Sequence, residues 1–356
     1  MIVEARTVVR HELNGDQRTI TSINSQEQKQ RRQQLEMQRQ DLENRLIGID
    51  QIAGRILRAL AGQEAFSFIR MGDSELLVLA QELVFPIKQD ISEWGPLLAE
   101  LCCDYNLGQG DRGHRRQTTI IKDQGLQVSI KQGPVGTTEV KRWANILRLS
   151  GIDYPDLLAR EYMQRALGEA SVIGVPTARR PGRSEEHLNL LKGFQTVFLT
   201  VLDRLSISLD DLTLTDSAGH HLLHAGGWLR KIMLPDQYPG LCEEFGLPPG
   251  YQPRVLLIGN LAGGFQSLLL REGCQVVGAI YPVGLANSEE VLSLARRYTF
   301  DLALVSAGTA AKYICTALAR DMGKVTIDAG QLFNTLLNEY GNLNHQSYIV
   351  PYMSLM

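Results

Sequence analysis

Four apolar segments in the C-terminal part of the chain, each followed by a helical pattern, constrain the fold more than any other feature. The segments are RVLLIGN, CQVVGAIYPV, FDLALVSAG and KVTIDAG. The patterns after them are FQSLLLREG, SEEVLSLARRY, TAAKYICTALARDMG and QLFNTLLNEYG. Strands that are apolar throughout and alternate with helices form parallel sheets that are covered on both faces. The sequence therefore predicts an α/β fold with a Rossmann-like parallel sheet and helices on both faces.

The middle of the chain adds three shorter strand patterns and one hairpin pattern. The strand patterns are AFSFIR, SVIGVP and DLTLTDS. The segment TTIIKDQGLQVSI alternates around Asp123-Gln124-Gly125, which is typical of a β-hairpin. It lies in a glycine-rich, locally basic region, and we interpret residues 105–142 as an insertion.

Residues 1–48 are polar and Gln-rich, and we separate them from a folded domain over residues 49–356. Apolar residues spaced by seven run across this boundary, at Leu35, Leu42, Ile49 and Ile56. This spacing fits a short coiled coil that would make the protein a homo-oligomer, or one amphipathic helix that packs on the domain. Gly48 and Gly54 weaken a helix and favour docking of the residues beyond Gly48, with residues 25–47 projecting as a weak oligomerisation helix.

Composition excludes several classes of function. A net charge of −3 gives no general attraction to nucleic acid or anionic membrane. No run approaches the roughly 18 apolar residues that a membrane span needs, and the N-terminal residues lack a secretory pattern. The cysteines lack C-x-x-C spacing, and three of them lie in apolar patterns that predict buried thiols. We expect a cytoplasmic protein with no nucleic-acid partner and no membrane span. The five cysteines are Cys102, Cys103, Cys242, Cys274 and Cys315.

The turn after AFSFIR places charged residues where a parallel sheet binds ligands, beyond the carboxyl ends of its strands. Arg70, Asp73 and Glu75 surround Gly72 there. Two carboxylates one residue apart can reach one hard cation, Mn²⁺ or Mg²⁺, and Arg70 can hold an anionic group beside it. Alternatively, Asp73 is a helix cap and Glu75 interacts with the helix dipole.

The turn VSAGTAAK, residues 305–312, opens a helix whose free N–H groups suit a phosphate. Thr309 offers a hydroxyl there, and Lys312 lies one turn further on. The alternative is a tight turn with Thr309 as the N-cap and Lys312 as a surface lysine. For the functional interpretation we also expect an exposed Lys312 that touches little of the core, so that Lys312→Ala weakens nucleotide binding and leaves the fold intact.

Other patterns give weaker signals. The glycines of IGNLAGGF do not fit G-x-G-x-x-G, which disfavours a nicotinamide enzyme. Of the histidines His220, His221 and His224, only the first and last share a helix face, so we expect no zinc site. A basic loop can hold a phosphate or simply be solvated, and it contains Arg179, Arg180 and Arg183.

Taken in order, these motifs resemble a known family. FIRMGDSEL resembles the Arg-aromatic-Gly-Asp-Gly-Glu signature of the GT-D glycosyltransferase fold, and GTAAKYICTALA followed by TIDAG resembles its later segments. The resemblance covers residues 49–345 outside the insertion. Met71 and Ser74 depart from the signature, and Gln331 and Phe333 stand where the family usually has a histidine and an acid.

The resemblance implies a metal-dependent glycosyltransferase of hexosyltransferase type. It assigns Asp73 and Glu75 as catalytic residues that bind the cation holding the diphosphate of a UDP-sugar. Arg70 and Gly72 would shape that turn. The resemblance further assigns nucleotide-binding or rim positions to Gly308, Thr309, Lys312, Asp328 and Gly330.

Under this hypothesis, a hydroxyl of a glycan or glycosylated acceptor attacks the anomeric carbon, helped by a general base. Asp73, Glu75, Asp216 and His220 are the candidates for that base. The departures at Gln331 and Phe333 leave an alternative from another class, a non-catalytic module that binds nucleotide-sugar or glycan. A nucleotide-binding oxidoreductase is a third possibility, which the missing fingerprint disfavours.

Overall fold

The structure is a computed structural model that describes residues 12–13, 16–17, 25–72, 74–76, 78–79, 118–123, 126–131, 157–177 and 185–340. Its strands are β1 (Glu12–Leu13), β2 (Asp16–Gln17), β3 (Phe66–Arg70), β4 (Thr118–Asp123), β5 (Leu126–Lys131), β6 (Val172–Val175), β7 (Leu214–Asp216), β8 (Val255–Gly259), β9 (Val276–Ile280), β10 (Leu302–Ser306) and β11 (Val325–Asp328). Its α-helices are α1 (Ser25–Arg45), α2 (Ile49–Gly62), α3 (Leu157–Glu169), α4 (Glu185–Arg204), α5 (Gly219–Ala225), α6 (Trp228–Met233), α7 (Pro239–Phe245), α8 (Ala262–Arg271), α9 (Ser288–Ala295), α10 (Ala310–Met322) and α11 (Leu332–Tyr340).

Seven strands form one parallel sheet in the order β7-β6-β3-β11-β10-β8-β9. All seven strand patterns of the sequence are present in it, and the predicted α/β class is confirmed. The residues of β3, β6, β8 and β11 are almost all buried, as expected for strands that helices cover on both sides.

The two faces of the sheet bury separate sets of helices. One core cluster combines alternate strand residues, such as Phe66, Phe68, Leu302 and Leu304, with residues of α2, α8 and α11. On the other face, α9 packs against α10, and α3 reaches α10 through the stacked rings of Tyr162 and Tyr313. The helices that follow β8 and β10, which are neighbouring strands, therefore leave the sheet toward opposite faces.

By its internal packing the chain divides into two compact units. One comprises Met1–Asn44, Asp73–Glu161 and Pro176–Leu209, and the other comprises Arg45–Gly72, Tyr162–Val175 and Asp210–Met356. The second unit contains the whole parallel sheet. The first contains the predicted hairpin, in which β4 and β5 pair antiparallel with Asp123 opposite Leu126.

The heptad-spaced residues do not lie on one helix, because α1 ends at Arg45 and α2 begins at Ile49. The expectation that residues 25–47 project is wrong for the end of α1. Leu42 is buried, and buried Glu43 accepts hydrogen bonds from Thr177 and Gln195. A buried carboxylate needs such donors, so the end of α1 belongs to the core of its own unit.

Candidate functional site

Three adjacent strands at the centre of the sheet end in polar residues. Arg70 is the last residue of β3, Asp328 of β11 and Ser306 of β10. Because the strands are parallel, these residues meet at the carboxyl edge, where open α/β sheets bind their ligands. The edge of these three strands is therefore the candidate site.

Asp328 is the centre of this cluster and is fully buried. Its Oδ2 lies 3.1 Å from Nζ of Lys312 and 3.6 Å from Nε of Arg70. Its Oδ1 accepts a hydrogen bond of 3.0 Å from the backbone N–H of Gly330. The cost of burying this carboxylate is thus offset by two cations and a backbone donor.

Lys312 is not the exposed lysine that the sequence suggested, because only 1% of it is accessible. Every residue of α10 from Ala310 to Ala319 is buried, so this helix offers the side chain no solvent-facing side. Its Nζ donates to the carbonyl oxygen of Gly308 at 3.1 Å. Lys312 therefore fastens the β10–α10 turn to the last residue of β11.

The glycines of the predicted site allow backbone conformations that other residues rarely adopt. Gly308 and Gly330 have φ angles of +53° and +50°. A Cβ on Gly330 would lie 2.2 Å from Nη2 of Arg70 and 3.0 Å from Nε2 of His220. Gly330 therefore lets the Arg70 guanidinium and the His220 ring approach the backbone after β11.

Thr309 occupies the N-cap position of α10, but its side chain makes no capping hydrogen bond. The residue is 1% accessible, and its hydroxyl has no hydrogen-bond partner among the described residues. A buried polar group without a partner marks a place for a ligand or a water molecule. At the N-terminus of α10, where the helix dipole favours negative charge, this hydroxyl fits an anionic oxygen.

Arg70 ties the turn after β7 to the same edge. Its Nη1 donates to the carbonyl oxygen of Ser217 at 3.1 Å, and Asp216 accepts from the backbone N–H of Ala218 at 2.7 Å. This arrangement brings His220, which is almost fully buried, beside Arg70. His220 is a candidate base from the sequence alone, but no local pattern places it with Arg70 and Gly330. The signal was its position directly after a strand end.

Cys315, the cysteine of α10, has an unreactive thiol. Burial, followed by the negative charge of Asp328, raises the pKa of the Cys315 thiol well above its usual range, although Thr326 and Lys312 oppose the shift. The neutral thiol is a poor nucleophile. Cys242, Cys274 and Cys315 are all buried and free, as predicted.

The predicted cation ligands are only partly described. Asp73 lies outside the described residues, as do Arg179, Arg180 and Arg183. Glu75 is buried in the other compact unit, and its Oε2 accepts from the Ser74 hydroxyl at 3.3 Å. Within the described part of the chain, no three His, Cys, Asp or Glu side chains form a metal-binding group. The assignment of a cation to Asp73 and Glu75 stays a prediction.

The two departures from the family pattern have different environments. Gln331 is exposed, next to Gly330. Phe333 is fully buried, and its ring stacks on Phe265 with centroids 4.2 Å apart. Position 333 is therefore part of the hydrophobic core and presents no polar group at the edge.

A family model matches most of the chain, and two solved structures are similar to it. The model of a family described as a GT-D fold-like domain matches residues 47–237 and 248–336. A selenomethionine-substituted structure of domain of unknown function 1792 is similar, with 12% identity, a TM-score of 0.38, and coverage of 83% of this chain and 86% of that one. A second structure is described as "The highly conserved domain of unknown function 1792 has a distinct glycosyltransferase fold". It is 15% identical, with a TM-score of 0.33, and covers 53% of this chain and 68% of its own.

A search of curated proteins gave no match. In the part of the chain that the structure describes, no helix is both long and apolar enough to cross a bilayer.

Proposed function

The chain belongs to the family of GT-D fold-like domains, and from this we propose that it is a nucleotide-sugar-dependent glycosyltransferase. The donor is a UDP-sugar, the acceptor is a hydroxyl of a glycan or glycosylated molecule, and the transferred group is a hexose.

One observation supports donor binding at the sheet edge more than any other. The buried hydroxyl of Thr309, which has no hydrogen-bond partner in the described part of the chain, stands at the N-terminus of α10. It lies on the turn that Lys312 fastens to Asp328. Arg70, whose side chain is 15% accessible, lies beside the same carboxylate. A diphosphate would receive a hydrogen bond from Thr309, positive charge from Arg70, and the favourable end of the α10 dipole.

The same groups suit the chemical step. Glycosyl transfer leaves negative charge on the departing nucleoside diphosphate, and fixed cations and N–H donors at that position lower the barrier. Lys312 acts in this proposal by holding the turn in place and by adding positive charge. A divalent cation bound by Asp73 and Glu75 would supply further charge neutralisation, and oxygen ligands of this kind suit Mn²⁺ or Mg²⁺.

The test is a transfer assay in which the full chain receives a panel of nucleotide-sugars with Mn²⁺, and release of nucleoside diphosphate is measured. Arg70→Lys keeps the positive charge but loses the planar guanidinium, which can donate two parallel hydrogen bonds to a phosphate. We expect this variant to turn over more slowly while the protein stays folded. Arg55→Lys, at an exposed arginine of α2, is the control. Absence of nucleotide release or transfer with every donor and acceptor class would overturn the enzymatic proposal.

The second candidate is a non-catalytic module that binds nucleotide-sugar or glycan, and the buried Phe333 favours it. A site that lacks a family's polar group can retain binding and lose chemistry. In that case a thermal-shift screen of nucleoside diphosphates shows nucleotide binding, whereas both transfer and slow hydrolysis of the donor stay at background.

A further inference from the structure

The strand order places a crevice between β8 and β10. From β8 the chain moves outward to β9, and it then returns to β10 on the other side of β8. The helices after β8 and β10 leave toward opposite faces, so the loops after these two strands diverge. Such a topological switch point is where open α/β sheets bind ligands.

At the floor of this crevice the backbones of β8 and β10 are in close contact. Gly259, the last residue of β8, has a φ angle of +150°, and a Cβ there would lie 2.2 Å from the carbonyl oxygen of Ser306. Only a glycine lets the ends of β8 and β10 come this close. A ligand can therefore lie flat across the strand ends, with no side chain from position 259 in its way.

An exposed aromatic ring stands on the far side of the crevice from Thr309 and Lys312. Tyr281 directly follows β9 and is 59% accessible. Its ring edge lies 3.3 Å from where a Cβ on Gly263 would be, in the first turn of α8. The ring thus rests on a side-chain-free stretch of helix and leaves much of its surface to solvent.

The loop that carries Tyr281 is held by side-chain hydrogen bonds. Asn260 accepts from the backbone N–H of Val283 at 2.8 Å. Asn287 accepts from the N–H of Gly284 at 2.8 Å and donates to the carbonyl oxygen of Pro282 at 3.0 Å. The backbone that carries the ring is therefore held in place before any ligand arrives, which lowers the entropic cost of binding.

We infer that Tyr281 is the stacking platform for the nucleobase of the donor, an inference that rests on the proposed function. β11 and β9 are three strand spacings apart, which is about 14 Å. An extended nucleotide reaches this far from its phosphates to its base. With the diphosphate at Thr309 and Arg70, the nucleoside crosses the crevice and its base meets the ring of Tyr281.

The experiment separates base binding from phosphate binding in the full-length chain. Calorimetry with UDP, GDP, ADP and CDP, with Mn²⁺, identifies the tightest nucleotide, and inorganic pyrophosphate is titrated in parallel. Tyr281→Ala is expected to weaken binding of that nucleotide about tenfold, because any base can stack but needs an aromatic ring to stack on. The affinity for inorganic pyrophosphate, which has no base, should not change. Tyr281→Phe keeps the ring and retains the affinity. Leu270→Ala removes an exposed apolar side chain at the other end of α8 and is the matched control.

Three results would overturn the inference, and they differ from one another. An unchanged nucleotide affinity in Tyr281→Ala, with a raised KM for the acceptor, would make the ring an acceptor platform. An equal loss for nucleotide and pyrophosphate would show that Tyr281 supports the phosphate region instead. If the wild-type protein binds none of the four nucleotides, the proposed function fails together with this inference.

Discussion

The ammonium of Lys312 and the carboxylate of Asp328 form an ion pair of 3.1 Å in which neither side chain is more than 1% accessible. The pair joins the first turn of α10 to the end of β11, across the strand edge where the candidate site lies. An ion pair in such a place is costly to break from one side, because the remaining charge stays buried.

We expect Lys312→Ala to destabilise the protein by about 3–5 kcal/mol. Among the described residues, it leaves the buried Asp328 carboxylate with Arg70 as its one cationic partner. Urea denaturation measures this free energy of unfolding. Lys324→Ala, at a partly exposed lysine just after α10, is the control and should cost less than about 1 kcal/mol.

A double variant checks the reason for the loss. Lys312→Met combined with Asp328→Leu removes both charges and should be more stable than Lys312→Ala alone. If the urea midpoint of unfolding is the same for Lys312→Ala and wild type, the buried ion pair has no role in stability.

Gly330→Ala should reduce nucleotide affinity at least about tenfold, because its methyl group would displace the Arg70 guanidinium and crowd His220. It should also cost about 1–2 kcal/mol of stability, since φ is positive there. Gly323→Ala isolates the second effect. Gly323 has a φ of +65°, but nothing lies within 4 Å of its added Cβ.

Gly330→Ala is therefore expected to lose at least as much stability as Gly323→Ala, while only Gly330→Ala loses nucleotide affinity. Thermal shift with saturating nucleoside diphosphate compares them directly. Equal nucleotide shifts in both variants would place the nucleotide away from Arg70.

The carboxylates of the D-x-E motif give a prediction about cation dependence. We expect UDP to raise the melting temperature only with Mn²⁺ or Mg²⁺, and Asp73→Ala and Glu75→Ala to abolish that dependence. Glu64→Ala, at an exposed carboxylate before β3, is the control and should behave like wild type. A cation effect that survives in both motif variants would move the metal elsewhere.

The sheet was predictable because its strands are buried on both sides and appear as continuous apolar runs. Their spatial order was not, because no local signal tells β11 to insert between β3 and β10. The burial of Lys312 was also missed, although it stands in the apolar helix segment AAKYICTALA. A single lysine there suggested a surface position, and its partner Asp328 lies on another strand.

The heptad pattern gave a wrong prediction because it assumed one uninterrupted helix. The heptad spacing predicted one helix, but α1 stops at Arg45 and Gly48 becomes the N-cap of α2. The glycine that weakened the helix in the sequence thus marks a real break. By contrast, the hairpin in residues 118–131 followed directly from its alternation around a turn with glycine.

Tyr313 gives a prediction for alkaline pH. Burial, followed by its hydrogen bond to Glu289, raises the pKa of Tyr313 to about 12. Its pKa in the unfolded chain is about 10, so the unfolded chain loses this proton first as pH rises. The contribution to stability, about 3 kcal/mol, is complete below pH 10 and is lost between about pH 10 and 12.

Chemical denaturation at pH 9 and pH 11 should therefore show a smaller pH-dependent loss in Tyr313→Phe than in wild type. Glu289→Gln keeps the size of the partner but removes its charge, and it should also show a smaller loss. A pH dependence identical in all three proteins contradicts the assignment.

The last prediction concerns the end of α1 and the segment after it. Glu43 accepts hydrogen bonds from Thr177 and Gln195 inside its unit. In the other unit, the backbone N–H of Ile47 donates to the carbonyl oxygen of Leu214 at 2.8 Å, which covers the outer edge of β7. Removing residues 1–47 should therefore lower the melting temperature by several degrees, because it uncovers a buried polar site and an edge strand.

Removing residues 1–24 keeps α1 and is the matched control, with an expected melting temperature equal to that of wild type. Glu43→Ala should cost about 1–3 kcal/mol, since it removes the buried carboxylate to which Thr177 and Gln195 donate. Light scattering on the same proteins tests the coiled-coil alternative. A mass that halves on removal of residues 1–47 but not of residues 1–24 supports assembly through α1. If both truncations keep the wild-type mass and melting temperature, α1 contributes to neither assembly nor stability.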